Sequence, residues 1–214
     1  MHESQSRFYE NIIGRDYDFW KVHFPKLKEI YKDQFEKVTL EDFYLYVNKV
    51  EASFIRTEAD ELTYPLHVML RYELEKKLID GTLEVKDLEK AWNDKIKEYF
   101  DIEVPCASKG VLQDSHWSGG SIGYFPTYAL GSAIASQLYY KMSEDFDVKE
   151  SLLSGNTKQI NEWLNNKIHK YGSSKYPKEI LENALNDQFN VNWFEVDFNN
   201  FDNTVNEVLN FINK

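Results

Sequence analysis

Four short stretches of this chain gather residue types that do chemistry: HESQSR at residues 2–7, IRTEADE at 55–61, GVLQDSHW at 110–117 and GYFPTY at 123–128. Each is dense in polar, geometrically demanding side chains. Each also has a plainer explanation, respectively a capped helix, a solvated turn, a polar loop and an aromatic corner. The five histidines, His2, His23, His67, His116 and His169, include no two that are four residues apart. A helix offers zinc two adjacent imidazoles only at that spacing, so the chain holds no complete local metal motif. His23 and His169 read as ordinary helix residues and His67 as a packing residue of a long helix. GGSIG at 119–123 lacks both the lysine of a phosphate loop and the strand–turn–helix context of a dinucleotide site. There is no Gly-x-Ser-x-Gly elbow for a serine nucleophile. Cys106, next to Pro105, reads as a small buried residue rather than a nucleophile.

The elements that must position these clusters are helical. Only 9 glycines and 5 prolines occur in 214 residues, and long stretches repeat apolar residues at helical spacing. The opening segment places Phe8, Ile12 and Ile13 one turn apart, breaks near Gly14 and resumes through Tyr17 and Trp20 to a corner at Pro25. Two further helical runs are expected over 26–50, the second capped by Thr39 ahead of Leu40, Phe43 and Val47. Residues 53–57 read as a brief extended segment feeding a long helix over 61–78. Its expected apolar face is Leu62, Leu66, Met69, Leu70, Leu74 and Leu78, with Pro65 marking a kink or a start nearer Thr63. A helix over 85–99 buries Leu88, Trp92 and Ile96. Residues 101–124 carry Pro105, Gly110, Gly119, Gly120 and Gly123 and read as a loop or short strands. The small residues of 128–142 suit a helix that approaches its neighbours closely, and further amphipathic helices are expected around 160–171, 177–185 and 203–212. The fold class is therefore mostly α with at most a few short strands. With no internal repeat and no low-complexity linker, residues 1–214 are expected to form a single helical unit.

Composition narrows the function. Lysine and arginine total 25 against 36 aspartates and glutamates, a formal charge of -11 that repels a polyphosphate backbone, so nucleic acid is a poor partner. No window approaches the roughly 18 to 20 consecutive apolar residues of a membrane span. One cysteine cannot form an internal disulfide, and the start of the chain has no charged-then-apolar leader, which fits a reducing cytoplasm.

Taken together, in this order and spacing, the four clusters resemble the thermostable zinc carboxypeptidase family, carboxypeptidase Taq. The resemblance runs from His2 nearly to the C-terminus, through residues 55–73, 113–117 and 124–131. It implies a helical, zincin-type, dimeric metallocarboxypeptidase that removes C-terminal residues from peptides. In that family a His-Glu-x-x-His helix gives two zinc ligands and the general base, and the Glu of a following His-Glu-Ser segment gives the third ligand. That carboxylate corresponds to Glu3. The resemblance also places Arg56 on the free α-carboxylate of the peptide, a role that suits a guanidinium's fork of donors. His116, with Tyr124 or Tyr128, corresponds to the catalytic donors aimed at the scissile carbonyl. Gln113 and Asp114 would orient His116 or line the substrate pocket.

The His-Glu-x-x-His motif does not occur in these 214 residues. A catalytic zinc takes about three protein ligands and an open position, so the expectation is a C-terminal carboxypeptidase portion that is inactive alone and does not retain zinc. An N-terminal half bound in trans would complete the site. The alternative, from a different class, is a non-catalytic helical interaction or scaffold module.

Overall fold

The computed structural model describes residues 1–186, and the expected helix over 203–212 lies outside them. In chain order the helices are α1 (His2–Arg7), α2 (Tyr17–Ile30), α3 (Lys32–Phe35), α4 (Leu40–Val47), α5 (Tyr64–Ile79), α6 (Leu88–Phe100), α7 (Pro126–Asp145), α8 (Val148–Leu153), α9 (Lys158–Lys167) and α10 (Pro177–Leu185). Among the described residues there is no strand. A π-helical turn, Phe8–Ile13, continues α1 directly.

The described residues gather into two compact units, 1–47 with 131–186 and 48–130. In the first, Phe8, Leu138, Met142, Leu152, Ile160 and Leu164 form the centre of an apolar core from which water is excluded. Asp16 starts α2 by accepting the Asp18 and Phe19 N–H groups at 2.7 and 3.2 Å. Pro25 does not end that helix as the sequence suggested; it lies inside α2, which runs on to Ile30. Packing on either side carries the helix past the missing donor: Phe24 stacks on Phe43 at 5.2 Å, and the Tyr31 N–H closes on the Leu27 carbonyl at 3.0 Å. Thr39 caps α4 as expected, its hydroxyl accepting the Asp42 N–H at 3.1 Å while the Asp42 carboxylate takes the Thr39 N–H at 3.0 Å. The small residues of α7 permit one close approach: a Cβ at Gly131 would stand 2.8 Å from the Glu3 Cβ and 3.1 Å from its carbonyl carbon.

The second unit packs α5 against α6. Leu70 and Leu74 meet Trp92, Ile96 and Phe100 in one cluster, and Ala59, Tyr64, Val68 and Phe125 form another. Pro65 falls in the first turn of α5, where its lack of an N–H costs nothing. The buried face of that helix differs from the expected stripe. Its inward positions include Tyr64, His67, Val68, Arg71, Leu74 and Glu75, whereas Met69 is exposed. Apolar spacing could not reveal a face that includes a cation, an imidazole and a carboxylate. Residues 53–57 form no strand; Arg56–Glu58 is a 3-10 turn, closed by the Ala59 N–H on the Arg56 carbonyl at 3.3 Å. Residues 101–124 are loop with one 3-10 turn, Ala107–Lys109. Cys106 lies on that loop and is exposed rather than buried, its sulfur 3.2 Å from the Ser108 hydroxyl.

Candidate functional site

Arg56, Gln113, Asp114, His116, Tyr124 and Tyr128 all fall in the unit of residues 48–130, where α5 provides the wall on which they assemble. Arg56 sits on the 3-10 turn and is 5 % exposed. It does not make a surface pair with Glu58 or Asp60. Asp60 instead organises the start of α5, one oxygen accepting the Leu62 and Thr63 N–H groups at 2.9 Å each and the other taking the Glu51 N–H at 3.1 Å. The partner of Arg56 is Asp114, reached from Nη2 at 2.9 Å and from Nε at 3.3 Å, both on the same carboxylate oxygen.

The other oxygen of Asp114 belongs to Arg71. That guanidinium donates from Nε at 2.6 Å, from Nη1 to the His67 carbonyl at 2.7 Å and from Nη2 to the Gln113 side-chain carbonyl at 2.8 Å. Gln113 also accepts the Arg56 backbone N–H at 2.9 Å and returns its amide to the Phe54 carbonyl at 2.9 Å. One amide thereby ties the turn that carries Arg56 to the helix that carries Arg71. Aromatic faces complete the enclosure: Arg56 lies 4.6 Å from the Tyr128 ring centroid, Arg71 lies 4.6 Å from that of Trp92, and both stand within 6 Å of Phe125, at 5.8 and 5.4 Å.

Burial alone would raise the Asp114 carboxyl, but Arg71 and Arg56 outweigh it and hold the group below the usual carboxylate range. Burial lowers Arg71 to about 10 against the pull of Asp114, which leaves it charged at neutral pH. For Arg56 the bonds to Asp114 overcome burial and raise it. His67 is fully buried against Phe100 at 4.6 Å, and burial with the two guanidiniums pushes it down to about 3, so it is neutral. The cluster thus contains two cations and one carboxylate that touches both.

His116 stands beside it. Its Nε2 is 3.0 Å from the Tyr128 hydroxyl, and its ring packs on Phe125 at 4.5 Å. The Nδ1 atom is 3.8 Å from Asp114, too far for a hydrogen bond, so Asp114 does not orient His116 in the direct sense expected. Tyr124 is 41 % exposed, with its ring 5.6 Å from that of His116. The loop holding these residues is clipped to α5 by Glu75, which accepts the Trp117 indole N–H at 2.7 Å and the Gly123 backbone N–H.

Glu3 belongs to the other unit, half-buried on α1 with Oε2 3.3 Å from the Ser6 hydroxyl. Sequence reasoning passed over Tyr64, Arg71 and Glu75. Their spacing of seven and then four residues on one helix was the available signal, since it puts all three on the same face.

Residues 1–200 match the profile of the carboxypeptidase Taq (M32) metallopeptidases. The chain belongs to that family. It is 45% identical over 194 residues to carboxypeptidase 1 of Bacillus subtilis, covering 90% of this M32 chain and 39% of that protein. Against thermostable carboxypeptidase 1 of Pyrococcus furiosus it is 44% identical over 195 residues, covering 91% of this chain and 39% of that one. A solved structure of the Pyrococcus furiosus carboxypeptidase superposes with a TM-score of 0.85 at 44% identity over 90% of this chain, and Trypanosoma cruzi metallocarboxypeptidase 1 with 0.84 at 38% over 92%. The M32 chain therefore spans about two-fifths of the length of the relatives it matches.

Membership of a metallopeptidase family implies a divalent metal. Among the described residues, no three histidine, cysteine, aspartate or glutamate side chains converge to hold one. Glu3 brings a single carboxylate, so the donors present do not make up a metal site. No helix of the described residues is long and apolar enough to cross a membrane.

Proposed function

We propose that this chain forms the substrate-gripping part of a metal-dependent carboxypeptidase acting on the free C-termini of peptides. The observation that carries the reading is the charge imbalance around Asp114: two guanidiniums share one carboxylate inside a nearly dry cluster. A buried net cation is costly unless an anion pairs with it. A peptide's terminal carboxylate has the charge and planar shape to supply that partner at Arg56, which keeps a small exposed edge. Tyr128 extends from that point, its ring over Arg56 and its hydroxyl on His116, so a bound terminal residue would place the preceding carbonyl near the His116–Tyr128 pair. We assign Tyr128 rather than Tyr124 to this pair on the strength of that hydroxyl contact. With the Nε2–H of His116 donated to the phenol oxygen, the Tyr128 O–H turns to donate toward the carbonyl oxygen.

In this reading Glu3 contributes one carboxylate to a divalent metal, zinc by resemblance, whose remaining donors come from sequence other than these residues. Hydrolysis is accordingly a property of the assembled enzyme, and recognition of the carboxylate a property of this chain. Isothermal titration of the chain with an N-acetylated tripeptide, as free acid and as C-terminal amide, tests it. Binding of the acid but not the amide, lost in Arg56→Ala, is expected. Equal binding of acid and amide, or none of either, would support the scaffold alternative instead.

A further inference from the structure

We infer that Arg71 is a positioning residue for that carboxylate grip: by occupying one oxygen of Asp114 it stops Asp114 from neutralising Arg56, and so leaves the cluster a net cation. The inference rests on the assignment of Arg56 to the peptide carboxylate. Arg71 is 0 % exposed, which places it out of direct reach of a bound peptide. Its donors go to Asp114, the His67 carbonyl and Gln113, and its face lies on Trp92. It reaches Arg56 by two routes. Asp114 links the two guanidinium heads, and Gln113 links the Arg71 head to the Arg56 backbone.

Core filling does not account for a guanidinium here. A methionine or leucine would seal the same space against Trp92 without the cost of burying a charge. What the charge changes is the balance. Arg56 and Asp114 alone form a self-satisfied ion pair with little call for a further anion, whereas Arg71 restores one positive charge to the group. Among the described residues no other carboxylate is in ion-pair contact with either guanidinium. Asp60 is committed to the N–H groups of Glu51, Leu62 and Thr63, Glu75 to Trp117 and Gly123, and His67 is neutral.

The test compares free-acid and amide forms of the same acetylated tripeptide on the native chain, Arg71→Gln, Arg71→Lys and Asp114→Asn, with circular dichroism to establish that each variant is folded. Arg71→Gln should weaken free-acid binding at least about tenfold, the scale of one unscreened neighbouring charge, and leave the amide unchanged. Arg71→Lys should recover to within about threefold of native, because the charge returns although the fork does not. Asp114→Asn removes the opposite sign and should tighten free-acid binding. Opposite responses to the two neutralisations distinguish electrostatic positioning from packing, which predicts loss in both. Folded Arg71→Gln that keeps native free-acid affinity overturns the inference, as does folded Arg71→Lys that binds no better than Arg71→Gln. If Arg71→Gln does not fold, Asp114→Asn decides, and weakened free-acid binding there overturns it. A native chain that ignores the carboxylate removes the assignment of Arg56 itself, a separate result.

Discussion

Acidification from about pH 7.5 to about pH 5 should destabilise the fold through one residue, His67. Its imidazole is fully buried beside two guanidiniums, with a folded pKa of about 3 against an ordinary 6.5. The depressed value fixes the sign. The unfolded chain takes up a proton as pH falls through 6.5 and the folded chain does not, so stability is fully present above that point and declines toward the folded value. Integrated over the stated range, the loss is about 2 kcal/mol, close to a thirtyfold change in the folding equilibrium. The figure depends little on how far below pH 5 the folded group titrates. Asp114 does not contribute in this window, because its depressed carboxyl costs stability only below the ordinary carboxylate range. Urea unfolding followed by tryptophan fluorescence at both pH values measures the effect in the native chain and in His67→Phe, which keeps a ring against Phe100. The native chain should lose about 2 kcal/mol more than the variant between the two conditions. Equal losses would refute the placement of a neutral imidazole in this core.

Two further substitutions follow from contacts already described. Gly131→Ala drives a methyl to 2.8 Å from the Glu3 Cβ and 3.1 Å from its backbone, so thermal unfolding should show a loss of about 1–3 kcal/mol as α1 is pushed from α7. Glu75→Ala leaves the Trp117 indole N–H and the Gly123 N–H without their acceptor. Both bonds are part-buried, so a total cost of about 1–3 kcal/mol is expected in urea unfolding, with Glu75→Gln costing less because it keeps one acceptor.

Much of the scaffold was legible in sequence. Thr39 and the apolar spacing behind it announced α4, Pro177 marked the start of α10, and Trp92 with Ile96 identified the inner side of α6. Each is a local signal, a cap or a period of 3.6 residues, and its physical cause lies within one or two turns of chain. The inner face of α5 was not legible in the same way. Hydrophobic spacing selected Leu62 and Met69, but the helix turns Tyr64, Arg71 and Glu75 inward, where partners elsewhere satisfy their polar atoms, and His67 with them, its ring held against Phe100 rather than by a hydrogen bond to its nitrogens. Pro25 misled for a related reason: aromatic neighbours hold α2 together across it.

The candidate site divides along the same line. Residue types in the four clusters, and through them the family, were settled by the order of amino acids alone, since guanidinium, imidazole and carboxylate groups bring their chemistry wherever they stand. Which of them meet was decided by the tertiary fold. Arg56 could have paired with Glu58 or Asp60 beside it, yet Asp60 is consumed in starting α5, and the pairing crosses 58 positions to Asp114, where Arg71 takes the second oxygen. An ion pair depends on distance in space and on exclusion of water, and neither is written in the spacing of residues along the chain.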